Sequence, residues 1–443
     1  MKQYIIIASI LFAHFAFAQD VEIETTPKIW SLEDCISYAI ENNITVKNAD
    51  LNTSISEVDY NAAKSAKLPN LFGSASQNFS SGTTIDPITS DYVSDQIHST
   101  NLGINSSITL FKGNQLTNQV KQNQLLVEQN SLLAQEAKNN IVISILESYL
   151  QTLFSKEGIT IAENNLIASE KEVLRAKSRL DAGTIALSDY TEAQSQAATN
   201  KYKVIAAKND YQLNIITLKQ LLELSPLEDL EIETVDENAD LINLELNKET
   251  IYTNALSYLP EVEASSTNIL INEKELEIAK GGYLPTLSLT GSLGSGYTSI
   301  SDNTFSDQLD VNFNQRLGLS LNIPIFNRNQ TKSAVQTAYF NIEKAEIQKQ
   351  TIEKEVIKKV ETAYQNALSS QEQLVAAEVS QDAAEQSYNL AQKKYELGDL
   401  STTDLVLSQN IYTNAQQNYL QSKYLSILYH QLLQFYQGNE LKL

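Results

Sequence analysis

Few side chains in this sequence can do covalent or metal chemistry, and they lie far apart. Cys35 is the only cysteine; no disulfide can form within the chain, and a small apolar residue on a helix is its simplest role. His98 and His430 are widely separated, His14 falls in a leader segment, and Met1 is the only methionine. That supply does not make an imidazole or thioether metal site. There is no glycine-rich phosphate loop and no nucleophile elbow, and the polar residues spread along helical stretches without converging. The sequence therefore assigns no catalytic, cofactor-binding or metal-binding set. What does recur is an acid placed after a glycine: Asp189 after Gly183 and Asp404 after Gly398. An acid there favours the positive end of a following helix.

The elements that carry these residues begin with a leader. Lys2, an apolar run from Ile5 to Phe17 and the small residues Ala16 and Ala18 predict a secretory signal over residues 1–18, with the mature chain starting near Gln19. No later stretch has the 18 or more apolar residues of a helical span, so any membrane entry must be as a barrel. The 54 acidic and 32 basic residues give a net charge of −22, which opposes nucleic-acid binding and suits a hydrated surface or lumen.

Aligned on itself, the chain is a duplication. Leu68-Pro69 matches Leu284-Pro285, Leu110-Phe111 matches Ile325-Phe326, Tyr149 matches Tyr364, Gly183 matches Gly398 and Asp189 matches Asp404, all at a shift of 215 to 216 residues. The expected organisation is a first repeat over 19–225, an acidic linker over 226–246 and a second repeat over 247–443. Each repeat opens with a helix, over 31–66 or 247–281, the first with Ser31 and Asp34 as an approximate capping box. Next comes a β-hairpin, about 70–112 or 285–326, with strands of about 10 residues, one face apolar and one wet. In the second copy Leu287, Leu289 and Leu293 alternate with Ser288, Thr290 and Ser292. Leu102, Ile104, Ile108 and Leu110 repeat this pattern in the first copy, and the connections near 80–97 and 298–310 should face outward.

Residues 114–225 contain no proline and read as a helical hairpin, matched by 327–437. Val335, Ala338, Ile342, Ala345, Ile352, Val356, Val360, Ala363 and Ala367 follow the spacing of a coiled-coil seam. Long arms over 114–181 and 327–396 should each reach about 100 Å, more than a compact domain needs. Four strands per chain cannot close a barrel, so lipid would meet unpaired edges unless several chains combined.

These residues resemble the TolC-like outer-membrane efflux proteins across almost the whole mature chain. The resemblance rests on Trp30-Ser31-Leu32-Glu33-Asp34 leading into Ala39-Ile40-Glu41-Asn42-Asn43, on Leu-Pro before each hairpin and on Ile323-Pro324-Ile325-Phe326. It rests also on the paired turns Arg179 to Gly183 with Ser188-Asp189, and Lys394 to Gly398 with Thr403-Asp404. It implies a mostly α chain that adds four strands to a homotrimeric, twelve-stranded outer-membrane β-barrel and its helices to a periplasmic tunnel. Such a channel passively conducts cargo from an inner-membrane pump and a periplasmic adaptor, in efflux or type I secretion, surrounded by outer-membrane lipid. By the same resemblance Gly183, Thr184, Gly398, Asp399 and Leu400 meet the adaptor, and Asp189, Tyr395 and Asp404 form a periplasmic gate. Two positions depart from the pattern: Leu400 stands where some members carry a latch arginine, and Leu407 where a second acidic ring would follow. The alternative reading, a secreted periplasmic or surface coiled-coil scaffold, explains the helices and the leader but not the matched strand pairs.

Overall fold

The computed structural model describes residues 29–85, 90–234, 248–439 and 441; the expected leader and most of the expected linker lie outside these. Each repeat begins with two helices where the sequence reads as one. In the first, α1 (Leu32–Asn42) and α2 (Ile44–Ser65) are separated by Asn43, whose backbone is extended and whose side chain caps α2 by accepting from the Thr45 N–H at 2.8 Å. The Ser31/Asp34 capping box at the start of α1 is present. Next come the antiparallel strands β2 (Asn70–Ile85) and β3 (Tyr92–Lys112), then a long helix α3 (Gln115–Asp181) and its return α4 (Leu187–Leu222). The second repeat has α5 (Lys248–Tyr258) and α6 (Pro260–Gly281), divided at Leu259 because Pro260 occupies the first helical position, where its missing N–H is no loss. It continues through β5 (Thr286–Thr298), a short helix α7 (Phe305–Val311) and β6 (Asn314–Asn322) to the long helix α8 (Gln330–Leu397) and its return α9 (Thr402–Tyr436). Among the described residues no helix is long and apolar enough to cross a membrane.

Two residues before α1, the strand β1 (Ile29–Trp30) pairs in parallel with β4 (Glu231–Ile232), a contact the sequence did not announce. Tyr149 of α3 holds both: its hydroxyl lies 3.1 Å from the Trp30 carbonyl and 2.9 Å from that of Glu233. Around it Ile145, Leu146, Leu153, Leu218, Leu222, Ile251 and Leu433 are almost wholly buried, so the best-packed core sits where the return helices end and the short helices begin. α3 packs against α2 and α6 on the strand side and against α4 beyond; α8 packs against α5, α6 and α9. The seam residues Ala338, Ala345, Val356, Val360, Ala363 and Ala367 are buried, as their spacing predicts.

The large sheet is open, in the order β2-β3-β5-β6. Its ladder aligns Ile108, Leu289 and Leu319 on one face and Thr109, Ser288 and Ser320 on the other. Leu317, Leu319 and Leu321 are 79%, 65% and 60% exposed, so among the described residues nothing covers the apolar face of β6. A bulge between Thr109 and Phe111 places Phe111, not Leu110, across from Leu287. The strands also differ from the expected uniform length, at 16, 21, 13 and 9 residues. β2 and β3 run on past the point where β5 stops pairing at Ser99. β5 in turn outlasts β6, and α7, in the expected outer loop, covers the edge this leaves. Gln308 bonds the N–H and the carbonyl of Thr298 at 2.9 and 3.0 Å, and Asn312 donates to the Gly296 carbonyl at 2.7 Å. Phe305 of α7 also meets the Tyr297 ring, 5.3 Å between centroids.

Each strand-to-helix joint passes through two left-handed residues, Gly113 and Asn114 in one copy and Arg328 and Asn329 in the other. Arg328 shows that the backbone angle alone does not demand glycine. Close approach does: a Cβ on Gly113 would lie 2.2 Å from the Gly281 carbonyl oxygen. Gly113→Ala is expected to destabilise the protein by about 1–3 kcal/mol through backbone overpacking, while Arg328→Gly is neutral or slightly stabilising; thermal melting of the two variants in detergent checks the contrast.

Candidate functional site: the helical tip

Both helical hairpins turn through a left-handed glycine. At the first, Gly183 N–H donates to Leu180 O at 2.8 Å and Thr184 N–H to Arg179 O at 2.9 Å; at the second, Gly398 N–H donates to Tyr395 O at 3.1 Å and Asp399 N–H to Lys394 O at 2.9 Å. These paired bonds satisfy the last helical carbonyls and need a positive φ at the glycine. Gly183, Thr184, Gly398 and Asp399 are exposed, whereas Leu400 is half-buried against the small cluster of Tyr388, Tyr395 and Leu405.

The three expected gate residues are placed differently from one another. Asp189 accepts from the Ala186 N–H at 3.2 Å. Asp404 accepts from the Ser401 hydroxyl at 2.7 Å while its own N–H donates to that oxygen at 3.2 Å. Within one chain, then, both acids cap the first turn of a return helix, where the helix dipole favours negative charge. Tyr395 is instead buried, its hydroxyl 3.4 Å from Thr402 Oγ1.

Around Tyr395 lie contacts that the sequence does not announce. The Arg179 guanidinium sits over the Tyr395 ring at 5.2 Å and donates to its carbonyl at 3.3 Å. One turn earlier, Arg175 bridges Glu172 at 2.9 Å and Glu396 at 3.0 Å, and Thr403 donates to Glu192 at 2.9 Å. All but the Arg175–Glu172 pair join the first hairpin to the second. The available signal was composition: the chain has four arginines, and two of them stand four residues apart just before Gly183. Arg175 and Glu396 are each about half-exposed, so such a link is worth about 0–1 kcal/mol. Further from the turns, Asn200 and Gln409 both donate to the Asn165 carbonyl, and Thr413 to its side-chain oxygen at 3.0 Å. An amide layer of this kind in a helical seam fixes register at a cost in packing.

An open amphipathic sheet set on a rod of two helical hairpins defines one subunit of an envelope channel. Comparison with known proteins gives the family: the sequence model of the outer membrane efflux proteins matches residues 35–223 and again 251–431, and the chain belongs to that family. It is 22% identical to the outer membrane efflux protein BepC of Brucella suis over 86% of this chain and 79% of BepC. It is 24% identical to the outer membrane protein TolC of Escherichia coli over 65% of this chain and 60% of TolC. The crystal structure of the Campylobacter jejuni CmeC outer membrane channel superimposes with a TM-score of 0.80 at 17% identity, covering 93% of this chain and 87% of CmeC. The chain is thus an outer-membrane efflux channel protein whose helices extend into the periplasm.

Glu172 gives the tip a pH dependence. Burial raises its pKa, and the nearby Arg175 only partly offsets this. A carboxyl with a raised folded-state pKa favours folding in its protonated form, so its contribution is fullest below the ordinary value of 4.5 and falls as pH rises through the shifted value. Glu172→Gln, which copies the protonated form, should therefore melt higher than the parent at pH 7. The difference should vanish near pH 4, a trend that paired melting curves would test.

Proposed function

We propose that three copies of this chain close a twelve-stranded barrel through the outer membrane and a helical tunnel through the periplasm, passively conducting cargo and catalysing no reaction. The observation that carries this is the open sheet: four amphipathic strands, an uncovered apolar face, and β2 and β6 as free edges. Single-chain barrels start at about eight strands, and lipid cannot satisfy an open edge. The helices support the same closure, since α2 carries exposed Leu51, Ile55 and Val58 and α8 carries exposed Phe340, Ile347 and Val375. These rows suit helix packing between neighbouring subunits.

The tip turns at Gly183, Thr184, Gly398, Asp399 and Leu400 are the surface a periplasmic adaptor would grip, linking the channel to an inner-membrane pump in efflux or type I secretion. Asp404 and Asp189 serve as helix caps in one chain and, repeated by symmetry, as a narrow ring of carboxylates. Tyr395, with Arg179 and Arg175, forms a latch between hairpins that takes the place of an arginine at the Leu400 position. Opening then requires only that a few half-exposed links part and the return helices separate.

The assembly is tested by extracting the outer-membrane fraction in detergent and measuring mass: a heat-modifiable trimer is expected, and a detergent-independent monomer would refute the reading. The gate is tested by Asp404→Asn, which keeps an acceptor for Ser401 while removing the charge. Reduced cation preference in planar bilayers is expected; unaltered selectivity would remove Asp404 from the constriction.

A further inference from the structure

The barrel strands are almost free of charge. Neither β2 nor β5 contains a charged residue, β3 has Asp95 and Lys112 towards its two ends, and β6 has only Arg316. The ladder fixes which face Arg316 is on. It stands across from Ser292, which stands across from Asn105. Alternation puts Thr290, Ser288 and Ser320 on that same face and Leu317, Leu319 and Leu321 on the other. A charge on the lipid side of a barrel strand is destabilising, whereas a charge on the inner side tunes selectivity, so the face bearing Arg316 is the lumen.

The surroundings leave the guanidinium available. Arg316 is exposed, and no ion pair to it is formed among the described residues. Its neighbours on the wet face are Ser292 across from it, Asn314 and Gly318 on its own strand, and Gly294 and Thr290 diagonally, none of them charged. The residue type also matters: a chain with 32 basic residues of which four are arginines places one of the four here. A planar fork of donors binds carboxylate and phosphate oxygens in pairs, as a lysine does not.

We infer that Arg316, contributed once by each of three chains, forms a ring of positive charge in the barrel lumen that favours passage of anions, and of cargo bearing carboxylate or phosphate groups, through the barrel. The ring rests on the trimeric-barrel reading proposed above, and is opposite in sign to the carboxylates at the far end of the tunnel. Rings of arginine or lysine are how pores select anions generally.

Two measurements test it. In whole cells, Arg316→Cys should react with a membrane-impermeant, negatively charged thiol reagent applied outside, the parent with its wholly buried Cys35 serving as the blank. In planar bilayers under a potassium chloride gradient, Arg316→Glu should shift the reversal potential so that the cation-to-anion permeability ratio rises several-fold; Arg316→Gln should fall between, and Arg316→Lys should stay near the parent. A conducting channel whose Arg316→Cys is unlabelled, or whose ratio ignores Arg316→Glu, would overturn the ring while leaving the channel intact. A parent that forms no pore would instead remove the trimeric barrel, and the ring with it.

Discussion

A β-strand edge in hydrocarbon exposes N–H and C=O groups to a medium that can bond neither, and each such group costs several kcal/mol. The architecture of this chain arises from that cost. Its four strands form one open sheet with β2 and β6 at the margins, and the trimeric closure proposed above would pair both of those edges. Where β5 extends beyond β6, the protein meets the same problem locally. There Gln308 and Asn312 present side-chain amides to the backbone of Thr298 and Gly296 in place of a fourth strand. α7 is thus an edge cover in the sense that β-proteins commonly need one.

The two halves are built from like elements, and the differences between them show which positions carry separate duties. Tyr149 and Tyr364 occupy equivalent places. The first anchors β1 and β4 through its hydroxyl; the second lies half-buried beside Lys248, which is paired with Glu361 at 2.7 Å. Gly113 and Arg328 share a left-handed backbone, but only Gly113 must clear the Gly281 backbone. That crossing lies where α6 of the second repeat packs against α3 of the first, so the tightest backbone contact is also a seam between the two repeats.

Periodic features were legible in the sequence and singular ones were not. The long arms, the seam of Ala338 to Ala367, the turn glycines and the alternating faces of β5 and β6 all repeat a pattern many times, and each repetition reinforces the reading. The division of the first helix depends on one residue, Asn43, capping the helix after it. Pro260 marks the second division more openly, but the helical pattern on either side reads through it. The bulge after Thr109 shifts the ladder by one residue, which alternation cannot anticipate. β2 and β3 exceed the expected length because their Ser-, Thr- and Asn-rich outer parts carry no apolar rhythm to mark an end. At the tip, Gly183 and Gly398 announced the turns, and Asp189 and Asp404 the caps. Arg175 escaped notice and Arg179 was read only as part of the turn motif, because their partners, Glu396 and Tyr395, are more than 200 residues away in sequence.

The distribution of interactions along the rod separates a rigid part from one that can move. Near Tyr149 the packing is apolar and nearly complete, and removing a large side chain there would cost about 2–5 kcal/mol. Beyond it the amide layer around Asn165 exchanges packing for hydrogen bonds, and at the turns the hairpins are joined by one half-exposed ion pair, a few hydrogen bonds and one buried tyrosine. Exposed pairs gain little because water competes for the same charges. Resistance to separation therefore decreases from the centre of the rod towards the glycine turns. A partner that binds the parted tip better than the joined one need contribute only a differential affinity of a few kcal/mol there, while the core that holds β1, β4 and the short helices in place remains undisturbed.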